Sequence, residues 1–209
     1  MQCNICPRRC GADRENGSLG FCGASNKIRI ARAALHFWEE PCLSGKNGAG
    51  TVFFSHCNMK CVYCQNYRIS TRGAGHEVSI GELAEIFLDL QSQGANNIDL
   101  VTPTHYALDI AKAVKKAKDS GLHIPVLYNC GGYESVETLK RLEGLIDIYM
   151  PDMKYYRDKY AVKYSSAPRY FETACAALEE MYRQRGAFVL DENGIMQSGV
   201  IVRHMMLPG

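Results

Sequence analysis

Between residues 57 and 64 the chain reads Cys57-Asn58-Met59-Lys60-Cys61-Val62-Tyr63-Cys64, so three thiols are presented from one tight loop. Thiolates at C-x3-C-x2-C spacing suit a cluster of four irons, which ordinarily takes one cysteine per iron. Three ligands leave one iron without a protein ligand. An open coordination position is what separates a catalytic metal site from a structural one. A structural zinc site is the alternative, but zinc ligands usually come as C-x2-C pairs from two places, and this run has no obvious partner pair. The spacing therefore points to iron–sulfur chemistry.

The flanks carry a family resemblance. Thr51-Val52-Phe53-Phe54-Ser55-His56 precedes the first cysteine, Gln65-Asn66 follows the last, and the aromatic Tyr63 stands before Cys64. The segment resembles the signature of the radical S-adenosylmethionine (SAM) enzymes, in particular the branch related to pyruvate formate-lyase activating enzyme. The resemblance implies a [4Fe–4S] cluster on Cys57, Cys61 and Cys64, an open iron that chelates the amino and carboxylate groups of SAM, and Tyr63 packed near the adenine. His56 stands where the family has glycine, a departure that removes no ligand.

At 209 residues the chain can hold one sizeable core and a small appendage. A net charge of +2 and the lack of a basic, aromatic-rich patch speak against a nucleic-acid partner. No apolar run approaches a membrane span, and Met1-Gln2-Cys3 begins no signal peptide. Ten cysteines without an export signal read as metal ligands in a reducing cytoplasm.

Four of them, Cys3, Cys6, Cys10 and Cys22, lie among glycines, prolines and charges with few residues able to build a core. Thiolates around one metal would tie such a segment, whether the metal is zinc or a second iron–sulfur cluster. Relatives in the resembled branch also open with C-x2-C-P-R-x-C. The expected organisation is a Cys-rich segment and connector over 1–45, with a core over 46–209. Within the connector, 28–33 alternates like a short strand, Trp38 is expected in buried packing, and the Gly-rich run 44–50 is expected as a flexible approach to the first core strand.

From residue 51 strands and helices alternate. Strands are expected over 51–55, 98–102, 124–129, 146–151 and 200–207, with helices from Ser79, over 105–120, 135–143 and 168–185. Ser79-Ile80-Gly81-Glu82 has the form of a capping box. Five strands with helical crossovers mean a parallel α/β layer. The resemblance implies the partial (β/α)6 barrel of radical SAM enzymes. Because the chain stops at Met206-Leu207-Pro208-Gly209, the expected barrel lacks its last strand.

In parallel α/β folds ligands bind at the carboxyl ends of the strands. The resemblance then implies SAM contacts from Thr102 and Thr104, where relatives have Gly-Gly-Glu, and from Asn129, Asp152, Lys154 and His204. Thr104 also reads as a helix N-cap, and Lys154 as the ion-pair partner of Asp152. The implied activity is reductive cleavage of SAM to a 5′-deoxyadenosyl radical that abstracts hydrogen. Its electron comes from a flavodoxin or ferredoxin, and its substrate is a glycine of a partner protein. The alternatives are a non-catalytic iron–sulfur or zinc protein, and a radical enzyme acting on RNA or a small molecule.

Overall fold

The strands between residues 98 and 151 alternate apolar side chains in two directions, and this gives the sheet two differently used faces. The computed structural model describes residues 2–206. Its strands are β1 (Ile28–His36), β2 (Ala49–Phe54), β3 (His76–Val78), β4 (Ile98–Val101), β5 (Val126–Cys130), β6 (Ile148–Pro151), β7 (Val189–Leu190) and β8 (Met196–Val200). They form one sheet of order β3-β1-β2-β4-β5-β6-β8-β7. The run β2-β4-β5-β6-β8 is parallel, whereas β1, β3 and β7 are added antiparallel at the two sides. The α/β class and the parallel core agree with the sequence.

On one face Ile98, Leu100, Val126, Tyr128 and Tyr149 pack against helices. Those helices are α3 (Ile80–Ser92), α4 (Ala107–Asp119), α5 (Val136–Lys140) and α7 (Tyr170–Arg185). Leu83, Phe87 and Leu90 of α3 and Ile110, Ala113, Val114 and Ala117 of α4 fall at helical spacing and are buried. The opposite strand positions Leu127, Ile148 and Met150 build a second cluster with Leu43 and Met196. The capping box at the start of α3 forms: Ser79 Oγ accepts from Glu82 N at 3.2 Å, and Ser79 N donates to Glu82 Oε2 at 2.7 Å.

Several expectations are corrected. The strand expected over 28–33 forms but runs on to residue 36, pairing with β2 and β3. The Gly-rich run is pinned: after the single-turn α1 (Pro41–Ser44), Asn96 and Asn97 donate to the carbonyls of Ser44 and Leu43 at 2.8 and 2.9 Å. Trp38 is 88% exposed, because its neighbours Glu39 and Glu40 turn toward Arg203 and leave the indole outside. The last parallel strand is Met196–Val200 rather than 200–207, although pairing along β6 continues through Ile201 N to Tyr149 O and Arg203 N to Pro151 O. Leu207, Pro208 and Gly209 lie outside the described residues. The sequence also missed β3, the one-turn α2 (Tyr67–Ser70) and α6 (Asp158–Ser165), which are too short for a periodic signal.

Replacing Ser79 by Ala removes one half of the capping box and leaves the α3 amides short of an acceptor. It should cost about 1 kcal/mol in equilibrium urea unfolding.

Candidate functional site

The three-cysteine loop leaves the end of β2 through a left-handed residue, His56, with φ 74°. Glycine is the usual occupant of such a conformation, which is the physical sense of the glycine expected there. The bulky ring is admitted by two glycines that face it. A Cβ on Gly73 would lie 2.4 Å from His56 Cε1, and one on Gly23 would lie 3.2 Å from Nδ1. Beneath it, buried His105 donates from Nε2 to Ser55 O at 2.7 Å. Burial lowers His105 to about 3, so the ring is neutral.

Beyond His56 the loop backbone is held from outside. Lys60 N and Val62 N donate to Ser165 O and Tyr164 O at 3.0 and 2.8 Å, both at the end of α6. Arg8, lying 3.6 Å over the Phe21 ring, donates from Nε to Asn58 O at 2.9 Å and from Nη2 to Ser166 O. Cys57, Cys61 and Cys64 thereby line one cavity of about 770 Å³.

Each sulfur meets a hydrogen-bonding group. Met59 N donates to Cys57 at 3.4 Å, Ser165 Oγ donates to Cys61 at 2.9 Å, and Cys64 lies 3.2 Å from Ser70 Oγ. Burial pushes the Cys57 thiol up to about 12 and raises Cys61, so a positive partner is required to hold them as thiolates near neutral pH. Among the described residues no three His, Cys, Asp or Glu side chains converge closely enough to hold a single metal ion. Three unpaired, hydrogen-bonded sulfurs lining one cavity without converging on a single ion suit a larger body. The residues fit a [4Fe–4S] cluster.

The strand ends supply the rest of the wall. Thr102, just past β4, has φ 60° and lines the cavity. A β-branched residue rarely adopts this conformation, and such strain of about 1–3 kcal/mol gathers at functional sites. Asn129, Asp152, Lys154 and His204 line the same space, as does Tyr63. Lys154 Nζ is 2.6 Å from Asp152 Oδ2, so the expected pair forms. Burial disfavours its charge, but the adjacent Asp152 outweighs this and holds Lys154 above its ordinary value. His204 Nδ1 bonds to the Met153 carbonyl.

Thr104 departs from expectation. It does not line the cavity and caps no helix through its side chain; its Oγ1 donates to buried Glu134 at 2.7 Å. Arg203 is the member that sequence reasoning passed over. Its Nη2 donates to Asn129 Oδ1 at 2.7 Å, and it stands 3.3 Å from Asp152 and 3.5 Å from Glu39. No local pattern signals this, because the partners come from β5, the residue after β6 and the turn after β1.

Two carboxyls are fully buried near the site. Glu134 accepts from Thr104 and Tyr128, and burial raises it to about 7 despite those bonds. Asp99, on the β4 face shared with Val101, accepts from Thr51 Oγ1 at 3.2 Å, while its Oδ1 has no hydrogen-bond partner. Burial, then the nearby Glu39, raises it to about 8.

The N-terminal cysteines occupy one neighbourhood. Cys3, Cys6 and Cys22 are buried, Cys10 is exposed, and all are free. The sulfurs of Cys6, Cys10 and Cys22 repeat the arrangement at Cys57, where the amide two residues ahead bonds back to sulfur. Ala24 N donates to Cys22 at 3.5 Å, and the Arg8 and Ala12 amides serve Cys6 and Cys10. Arg14 Nη2 adds a bond to Cys22 at 3.2 Å.

Residues 51–195, more than half the chain, match the pattern of the Radical SAM superfamily. The chain is also similar to an uncharacterized protein of Methanocaldococcus jannaschii, 28% identical over 215 residues that cover 99% of this chain. The chain spans 57% of the length of that relative. Among the described residues no helix is long and apolar enough to cross a membrane.

The buried Asp99 makes stability depend on pH. In the unfolded chain it loses its proton near 3.8, and in the folded chain near 8. The folded state therefore holds the extra proton between these values, and stability falls as pH rises through that window. Unfolding followed at several pH values should give a flatter profile for Asp99→Asn than for the unsubstituted chain.

Proposed function

The chain belongs to the radical SAM superfamily, and on that premise we propose that it is a glycyl-radical activase, abstracting hydrogen from a glycine of a partner protein. The observation that carries the catalytic part is a single cavity lined by Cys57, Cys61 and Cys64 together with Lys154, Asp152 and Arg203. When bound, a [4Fe–4S] cluster supplies the electron that cleaves SAM to methionine and a 5′-deoxyadenosyl radical. The three cysteines hold it. Lys154 and Arg203 offer cationic donors to a carboxylate, and charge-assisted bonds of this kind orient as well as bind. Asn129 and Thr102 offer polar groups beside them. Phe54, Met59 and Ile69 keep the adjoining wall apolar and limit water.

The partner-protein reading is supported by the cluster-loop resemblance and by the exposed apolar side chains of Val202 and Met205, which also line the cavity. In this reading the parallel sheet is the wall of a partial barrel. A flavodoxin or ferredoxin delivers the electron, and a reducing cytoplasm keeps the thiols free.

Cys3, Cys6, Cys10 and Cys22 would, in the same reading, draw together around a second metal, zinc or another iron–sulfur cluster, since no three of them yet converge on one ion. The repeated amide-to-sulfur bonds support it, because such donors stabilise charge on sulfur.

Anaerobic reconstitution with iron and sulfide, followed by dithionite and SAM, should yield 5′-deoxyadenosine, and Cys61→Ala should abolish it. No product from a fully loaded chain would sink the radical reading. Product without a radical on any candidate glycyl protein would direct the search to a small-molecule or RNA substrate. For the second site, a chain with Cys57, Cys61 and Cys64 all changed to Ala should retain zinc or iron by elemental analysis. Loss of all metal would remove that site from the proposal.

A further inference from the structure

Ser165 is the last residue of α6 and is fully buried. Its carbonyl accepts from Lys60 N, and its hydroxyl donates to Cys61 Sγ at 2.9 Å. The same oxygen is 2.7 Å from Tyr155 Oη, and Tyr155 Oη is 2.6 Å from Tyr63 Oη. A serine has one hydroxyl proton. With that proton spent on sulfur, the next one along must come from Tyr155, and the one beyond it from Tyr63. The chain of donors therefore runs one way, from Tyr63 through Tyr155 and Ser165 to Cys61.

Hydrogen bonds arranged head to tail polarise one another, so the last bond is stronger than a lone hydroxyl would make it. The hydrogen-bonding groups at the other two loop sulfurs lie farther away, at 3.2 Å from Cys64 and 3.4 Å from Cys57. Hydrogen bonds to ligating sulfurs are among the settings that fix the potential of an iron–sulfur centre, because they favour the reduced, more negative form. We propose that the Tyr63–Tyr155–Ser165 hydroxyl relay is a positioning device that raises the reduction potential of the centre held by Cys57, Cys61 and Cys64. This rests on the reading that those cysteines hold a cluster. Tyr63 also lines the cavity.

The relay is tested by redox titration of the reconstituted full chain, followed by electron paramagnetic resonance, with iron and sulfide counted beforehand. Ser165→Ala should disfavour one-electron reduction about tenfold, a midpoint about 59 mV more negative, with the iron count unchanged. Tyr155→Phe keeps Ser165 but removes its donor, and should shift the midpoint in the same direction by less. A fully loaded Ser165→Ala chain with the original midpoint would overturn the inference and leave the proposed function standing. If Ser165→Ala does not load, Tyr155→Phe carries the test, and an unmoved midpoint there overturns the inference. Failure of the unsubstituted chain to hold a cluster would overturn the proposed function and this inference together.

Discussion

Three cysteines within one irregular loop have no regular structure of their own to hold them, and everything at this site depends on how the loop backbone is gripped. Its amides at Lys60 and Val62 are taken by carbonyls at the end of α6, while its Asn58 carbonyl is taken by Arg8 from near the N-terminus. A buried backbone group without a partner is costly, so these bonds fix the loop more firmly than its sequence could. They also explain the placing of α6. A short helix with two buried residues is there to present its final carbonyls.

The second organising feature is charge under the cavity. Asp99, Glu39, Asp152 and Arg203 come from four separate stretches of chain; Arg203 bridges Glu39 and Asp152, and Lys154 is the nearer cation to Asp152. Asp99 escapes the full cost of a buried anion by keeping its proton. The sheet alternation makes this possible. The β4 face that carries Ile98 and Leu100 belongs to the helices, and Asp99 points the other way.

Much of the fold was legible because it follows from repeating patterns. The capping box at Ser79, the helical spacing of Leu83, Phe87 and Leu90, and the apolar strands at 98–101 and 148–151 each carry a local signal. That Cys57, Cys61 and Cys64 would face one cavity was legible from their spacing in a single loop. Arg203, Ser165 and Tyr155 were not, since their roles arise only when segments distant in sequence meet. Thr104 was misread for a related reason: its partner Glu134 is thirty positions away, and nothing near Thr104 announces a buried carboxyl. Trp38 was misread because size suggested burial, whereas the ion pairs of its two neighbours decided its direction.

The seat of His56 ties two distant parts of the chain together. Its ring occupies space that is open only because Gly23 and Gly73 lack side chains, one in the Cys-rich segment and the other just past α2. A larger residue at Gly73 is barred while the histidine remains, and both glycines are also held by left-handed backbone, φ 80° at Gly23 and 63° at Gly73, whatever stands at position 56. The histidine therefore depends on glycine at both positions. A Cβ at position 23 would press on the ring at 3.2 Å from Nδ1, so the Cys-rich segment and the three-cysteine loop are packed to fit each other.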